Sequence, residues 1–177
     1  MVRVRLRCER GFGLIELLMA MTILNLGILA VVAAFNSGIV TLRRAGMTST
    51  ASVLADKQME LYRSLTYGSI ALASSSIPAT TPYTSDPAFS ATQVTTSCTT
   101  PLPAECNASR TLTGPDRHGY RVDTYIIDDH AVAASRTIRR VTVVVRDGQN
   151  LGKVLARSTS TFDCSTALPY ASGCPTT

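Results

Sequence analysis

A long run without charges near the amino terminus limits what this chain can fold into. Residues 17–42 contain no Asp, Glu, Lys or Arg, and one carboxylate, Glu16, stands immediately before them. At about 1.5 Å per residue, a helix over the 24 residues 12–35 would span roughly 36 Å, enough to cross a hydrocarbon core of about 30 Å with some tilt. The sequence therefore predicts one membrane-spanning helix.

The segment before this run is basic. MVRVRLRCERG carries four arginines against one glutamate, and such an excess stays cytoplasmic, so we expect everything after Arg43 to lie outside. A secretory signal fits poorly, because its apolar core is about 7–15 residues long and ends at a small-x-small cleavage site. Here the run is longer, and the candidate processing point, Gly11, precedes it.

Glu16 is the first candidate functional residue. An ionised acid at the centre of a bilayer costs a few kcal/mol, and such an acid usually has a partner. The alternative is a side chain that reaches back to the membrane interface.

Taken in order, the basic leader, Gly11, Phe12 and GLIELLMAMTIL closely resemble the class III signal of type IV prepilin-like proteins. In that family a leader peptidase cuts after the glycine and methylates the new terminal residue. The resemblance implies that Gly11 precedes the cut, that Phe12 becomes the N-methylated terminus and that Glu16 is the family's acid. An opposite charge within about 4–6 Å stabilises a buried carboxylate. In the family's filaments that charge is the terminal amine of a neighbouring subunit, so Glu16 would set the assembly register.

Two positions depart from the family pattern. Gly13 stands where threonine is common, and the segment around Ala33 lacks the proline of many major pilins. Asn25 and Gly27 are the weak points of this helix; Gly27 costs about 1 kcal/mol relative to alanine. Gly27 could equally serve as a packing site for another helix.

The continuation NLGILAVVAAFNSGIVTLRRA and STASVLADKQMELYRSL resembles PilV-type minor pilins and the I-type minor pseudopilins of type II secretion. This implies a minor pilin that helps to initiate assembly of a type IV pilus, with a pseudopilin or an adhesive or DNA-uptake pilin as alternatives. The implied partners are prepilin peptidase, other minor and major pilins and the inner-membrane assembly platform. The implied location is the bacterial inner membrane, then the pilus.

Beyond the apolar run, the pattern predicts an α+β head. Apolar residues recur at helical spacing, so the helix should continue to about residue 65, with Gly68 as a possible stop. Period-two patterns in 119–128 and 136–147 predict two strands, and 153–162 follows the turn segment DGQNLG as a third. The sequence thus predicts an antiparallel sheet of three to four strands covered by this helix. The helical positions are Met47, Ala51, Leu54, Leu61 and Leu65.

The predicted organisation is a cleaved leader, a filament-core helix, an amphipathic continuation and a globular head, over residues 1–11, 12–42, 43–67 and 68–177. Within the head, residues 74–103 hold 14 Ser or Thr and 5 Pro. We expect that segment to be irregular and to bury little.

Four cysteines lie beyond the predicted membrane helix, which suggests two disulfides, whereas Cys8 lies in the leader. Three pairings are possible. We favour Cys98–Cys106 and Cys164–Cys174, since each closes a short loop. A zinc site is the alternative, although neither pair forms a CxxC motif.

The sequence offers no enzyme motif, cofactor site or metal-ligand spacing, so we expect a protein that is not an enzyme. The triplet Asp128, Asp129 and His130 could bind a cation, but solvation in a loop is the simpler interpretation. Without residues 1–11, 13 basic residues face 11 acidic ones, a net charge of +2 that does not favour nucleic acid. The best basic cluster for nucleic acid consists of Arg136, Arg139, Arg140 and Arg146.

Overall fold

The structure is a computed structural model that describes residues 13–98, 101–129 and 138–164. The chain divides into two compact units, Met1–Arg44 and Ala45–Thr177. One helix, α1, begins in the first unit and ends in the second.

Helix α1 comprises Leu14–Arg63, which confirms the long helix predicted over residues 12–65. It is free of proline throughout, so no residue interrupts its hydrogen bonds. The helix ends five residues before Gly68, the stop suggested by the sequence. Gly68 instead lies in the 3₁₀ turn Tyr67–Ser69.

The second unit contains a four-stranded antiparallel sheet, as the sequence predicts. Two short strands, β1 and β2, precede it and pair with each other in parallel. The sheet consists of β3, β4, β5 and β6 in chain order, so each strand lies beside its sequence neighbour. The strands are β1 Leu72–Ala73, β2 Thr95–Thr96, β3 Ser109–Thr113, β4 Gly119–Asp129, β5 Ile138–Asp147 and β6 Val154–Asp163.

The register of the sheet fixes which side chains share a face. Val122 of β4 lies opposite Val145 of β5. Since side chains alternate along a strand, Val141, Val143 and Val145 share one face, as predicted. This face packs against the part of α1 in the second unit, and the three valines are fully buried in one apolar cluster with α1.

The buried stripe of α1 differs from the predicted one. Of the five predicted positions, Ala51 is buried, while Met47, Leu54, Leu61 and Leu65 are only half-buried. The stripe instead follows Ala51, Ala55, Gln58, Met59 and Tyr62. A search for apolar residues at helical spacing misses Gln58, because this side chain is polar. Gln58 is nevertheless only 1% exposed, since it forms hydrogen bonds to the head.

Residues 82–94 form a strap across the other face of the sheet. The Tyr83 ring stacks on Tyr125 with centroids 4.4 Å apart, and its hydroxyl donates to Thr124 O over 2.7 Å. Tyr83 has no exposed surface. The expectation that this segment buries little was therefore wrong, since composition does not show where one aromatic ring will pack.

The end of β4 also differs from expectation. Asp128 and Asp129 lie in β4 rather than in a loop, opposite Arg139 and Ile138. Asp128 accepts a hydrogen bond of 3.1 Å from Arg139 Nε, so its charge has a partner. The third member of the triplet, His130, lies outside the described residues.

The cysteines of the head form the favoured pairing as far as the structure describes them. Cys98 and Cys106 are joined by a disulfide. Cys164 is also disulfide-bonded. Its predicted partner, Cys174, lies outside the described residues.

Candidate assembly site

Glu16 lies in the first turn of α1. Its backbone N–H donates to Gly13 O over 3.0 Å, which closes the first turn of the helix. A carboxylate in this position is favoured by the positive end of the helix dipole, by about 0.3–1 kcal/mol when exposed. The predicted cleavage and methylation residues, Gly11 and Phe12, lie outside the described residues.

The surface that follows Glu16 is apolar on every side of the helix. All 17 large apolar side chains from Leu14 to Leu42 are between 48% and 79% exposed. A soluble protein rarely leaves so large a contiguous apolar surface in water. By length and composition, this part of α1 could cross a membrane, with a mean hydropathy of 2.4 and no buried residue in the apolar window. It therefore needs lipid or other apolar helices around it.

Two open grooves lie along this surface, each beside a glycine. One of about 500 Å³ includes Gly27 between Ile23 and Val32. Another of about 350 Å³ includes Gly38 between Val31 and Leu42. A Cβ built on either glycine meets no atom within 4 Å, so the chain itself does not require glycine there. Small residues of this kind let a second helix approach closely.

The predicted basic cluster does not form a single surface. Arg139 and Arg140 point to opposite faces of β5, because neighbouring residues alternate. Arg139 donates to Tyr67 O and Ile70 O over 2.7 and 2.9 Å and lies over the Tyr67 ring. The side chain of Arg146 is 4% exposed. Arg136 lies outside the described residues.

The described part of the head offers no geometry for a metal ion. No group of three or more His, Cys, Asp or Glu side chains there is arranged to hold one. His118 Nε2, in the turn before β4, is 2.8 Å from Oδ1 of Asp147, the last residue of β5. This contact ties that turn to the end of β5.

Comparison with known proteins gives one match. The family model of the prokaryotic N-terminal methylation motif matches residues 6–32. These residues contain Gly11, Phe12 and Glu16. No curated protein and no solved structure matched the chain.

The motif occurs together with a long apolar helix and a disulfide-bonded α+β head. These features support a type IV prepilin-like protein with a class III signal. Within that class, the motif supports a place among the type IV pilins and pseudopilins, which are structural proteins. It implies processing by prepilin peptidase and assembly with other pilins in general. An inner-membrane anchor and a location in a pilus are compatible with these features.

Proposed function

We propose that this chain is a minor pilin of a bacterial type IV pilus, of PilV-like type, which helps to initiate assembly. The observation that carries the proposal is the exposed apolar surface of residues 14–42. Glu16 lies at the start of this surface and within the matched motif. The continuation of α1 resembles minor subunits rather than major ones, and it has no proline.

Cleavage after Gly11 creates the amine that Glu16 requires. Before cleavage, the basic leader holds the amino terminus in the cytoplasm, and α1 anchors the chain with its head outside. After cleavage, Phe12 is methylated, and its amine is a cation near the start of an apolar helix. Glu16 of one subunit pairs with this amine on the next subunit. A buried carboxylate with a charged partner is stabilised, whereas one without a partner is strongly disfavoured.

Transfer from lipid to filament replaces one apolar environment with another. The large apolar side chains of residues 14–42 pack against neighbouring helices, and the grooves beside Gly27 and Gly38 accept them. The hydrophobic effect contributes little to this step, because lipid tails are as apolar as leucine. Close packing and the Glu16 charge pair therefore determine the register.

The Glu16→Ala variant tests this mechanism. We expect it to be cleaved normally but to enter sheared surface filaments at no more than about a tenth of the normal level, since an unpaired buried charge costs about 3–5 kcal/mol. Quantitative mass spectrometry of the membrane and of the sheared fraction measures both the extent of cleavage and the level of incorporation. Asp56→Ala, which removes an exposed acid from the same helix, is the matched control and should assemble normally.

Other results would contradict parts of the proposal. Normal incorporation of Glu16→Ala would exclude the charge pair as the register. Uncleaved Glu16→Ala would mean that the acid acts in processing instead. A processed wild-type chain that is absent from surface filaments, but required for type II secretion, would identify a pseudopilin.

A further inference from the structure

A groove of about 440 Å³ lies on the sheet face that the strap covers only in part. This volume falls within the range of about 300–1,000 Å³ typical of small-molecule sites. One wall is the strap residue Phe89, and the floor is formed by side chains of β4, β5 and β6. The residues that matter for the argument are Phe89, Tyr125, Arg140, Thr142, Arg157 and Thr159.

Two arginines border the groove. Arg157 donates two hydrogen bonds of 2.9 Å to Asp86, and among the described residues both come from Nη2. Its other N–H groups can therefore reach a ligand, and its side chain is 37% exposed. Arg140 already interacts within the chain. A guanidinium has five N–H donors, so it can keep one partner and bind a second.

The lining of the groove is positive. It contains two arginines and no acidic residue. Asp86 does not repel an anion strongly, because Arg146 and Arg157 both bind it.

The floor adds hydroxyl groups between the arginines. Thr142 Oγ1 and Thr159 Oγ1 are 3.2 Å apart, and a hydroxyl can both donate and accept. Phe89, which is half-buried, presents aromatic surface beside them, whereas the Tyr125 ring is buried against Tyr83. Paired guanidinium groups suit a carboxylate, hydroxyls suit a ligand rich in hydroxyls, and an aromatic wall suits the apolar face of a sugar ring.

We propose that this groove binds an acidic sugar, a hexuronate unit whose carboxylate lies between Arg140 and Arg157 and whose hydroxyls contact Thr142 and Thr159. The head of this protein then carries a carbohydrate site of its own. The inference does not depend on the proposed role in assembly, because every residue used lies in the second unit.

Ligand-observed NMR on the full chain in detergent tests the site, with sodium glucuronate as the probe. We expect saturable binding of glucuronate, with glucose and sodium sulfate each at least about tenfold weaker, since glucose lacks the carboxylate and sulfate lacks the ring and its hydroxyls. Arg140→Gln should weaken binding about tenfold or more, and Thr159→Val several-fold. Arg117→Gln makes the same change in charge at an exposed position outside the groove and should bind normally.

Several outcomes would overturn the proposal. They are no glucuronate binding by the wild-type chain, equal binding of glucose, or equal binding of sulfate, which would indicate a site for any anion. An equal loss in Arg117→Gln and Arg140→Gln would indicate a general effect of charge. Tyrosine circular dichroism on both variants shows whether the head is folded. If Arg140→Gln does not fold, Thr159→Val decides the question.

Discussion

Arg146 is the centre of a buried polar cluster that fixes the strap to the sheet. Its Nε donates to Asp123 over 3.0 Å, and its Nη2 donates to Asp86 of the strap. Burial alone would lower the pKa of Arg146, but hydrogen bonds with Tyr125 and Asp123 outweigh it and raise that pKa. Arg121 and Arg157 each bind one of the two aspartates. Both buried carboxylates are therefore compensated, which satisfies the main condition for burying a charge.

A prediction at the scale of residues concerns Gly148, which directly follows β5. Its N–H donates to Gly119 O over 2.8 Å, and a Cβ at 148 would lie 2.5 Å from that same oxygen. Backbone cannot move aside as a flexible side chain can. We therefore expect Gly148→Ala to destabilise the head by about 1–3 kcal/mol. Thermal unfolding, followed by near-ultraviolet circular dichroism, measures this change in the full chain in detergent, because all six tyrosines lie beyond residue 61.

Gly152→Ala is the matched control in the same turn. The nearest atom to a Cβ there is Asn150 Oδ1 at 3.4 Å, the tip of a side chain. Its unfolding temperature should stay close to that of the wild type. Equal losses in both variants would show that the turn needs glycine for its conformation rather than for space at 148.

Residues with local signals could be predicted, and residues with distant partners could not. Glu16 is visible because it is the acid at the start of a charge-free run, and the β5 valines are visible because they alternate. Gln58 and Asp86 look like ordinary surface residues. Gln58 is buried because its Oε1 accepts a 2.6 Å hydrogen bond from Arg110, which is 52 positions away in the sequence. Asp86 is buried because it accepts a hydrogen bond from Arg146, which is 60 positions away.

At the scale of elements, the disulfide loop is the partner of α1. Tyr62 OH donates to Glu105 O over 2.8 Å, and Gln58 Nε2 donates to Ala104 O over 3.2 Å. Both carbonyls lie between Cys98 and Cys106, so the disulfide closes the loop that receives the helix. Burial raises the pKa of Tyr62, which keeps its hydroxyl protonated as a donor.

Removal of this disulfide should therefore weaken the attachment of the helix. We expect the double variant Cys98→Ser, Cys106→Ser to lose about 2.5–3 kcal/mol from loop closure alone, with a lower unfolding temperature and a changed tyrosine signal as Tyr62 loses its acceptor. Cys8→Ser, which lies outside the head, serves as the control and should leave both unchanged. An unchanged tyrosine spectrum in the double variant would mean that the loop holds its shape without the disulfide.

Elements with a clear period or a clear turn signal were predicted, and those with neither were missed. Helix α1 and the strands β4 and β5 have long apolar repeats, and β6 follows the turn segment DGQNLG. Strand β3 has only five residues, SRTLT, with one large apolar side chain, so its sequence does not stand out. The strap has no repeat at all. Its place depends on Tyr83 and Asp86, whose partners lie on β4 and β5.

At the scale of the whole molecule, the stability of the head depends on pH through carboxyl groups in or beside its turns. In Asp147, burial acts to raise the pKa, but hydrogen bonds from Gln149 N–H and His118 outweigh it, so the pKa is lowered. In Asp116, a hydrogen bond from Tyr120 lowers the pKa. A carboxyl group whose pKa is lower in the folded than in the unfolded state stabilises the fold. This stabilisation is complete above the pKa of the unfolded state, about 3.9 for Asp, and is lost as the pH falls through the pKa of the folded state.

We therefore expect acid to destabilise the head below about pH 4. Asp147→Asn should lower the unfolding temperature at pH 7, and its difference from the wild type should shrink as pH falls below that value, because the wild type then loses the same charge. Unfolding scans between pH 7 and pH 3 measure both. A difference that stays constant over this range would show that the Asp147 charge does not contribute.

The central claim is that the chain is processed after Gly11 and assembled through the exposed helix. The most direct test is the mass of its amino-terminal peptide, from native membranes and from sheared surface filaments. The account predicts a peptide that begins at Phe12 and carries one added methyl group in both fractions. A peptide that begins at Met1, or a cut after the apolar run, would contradict it.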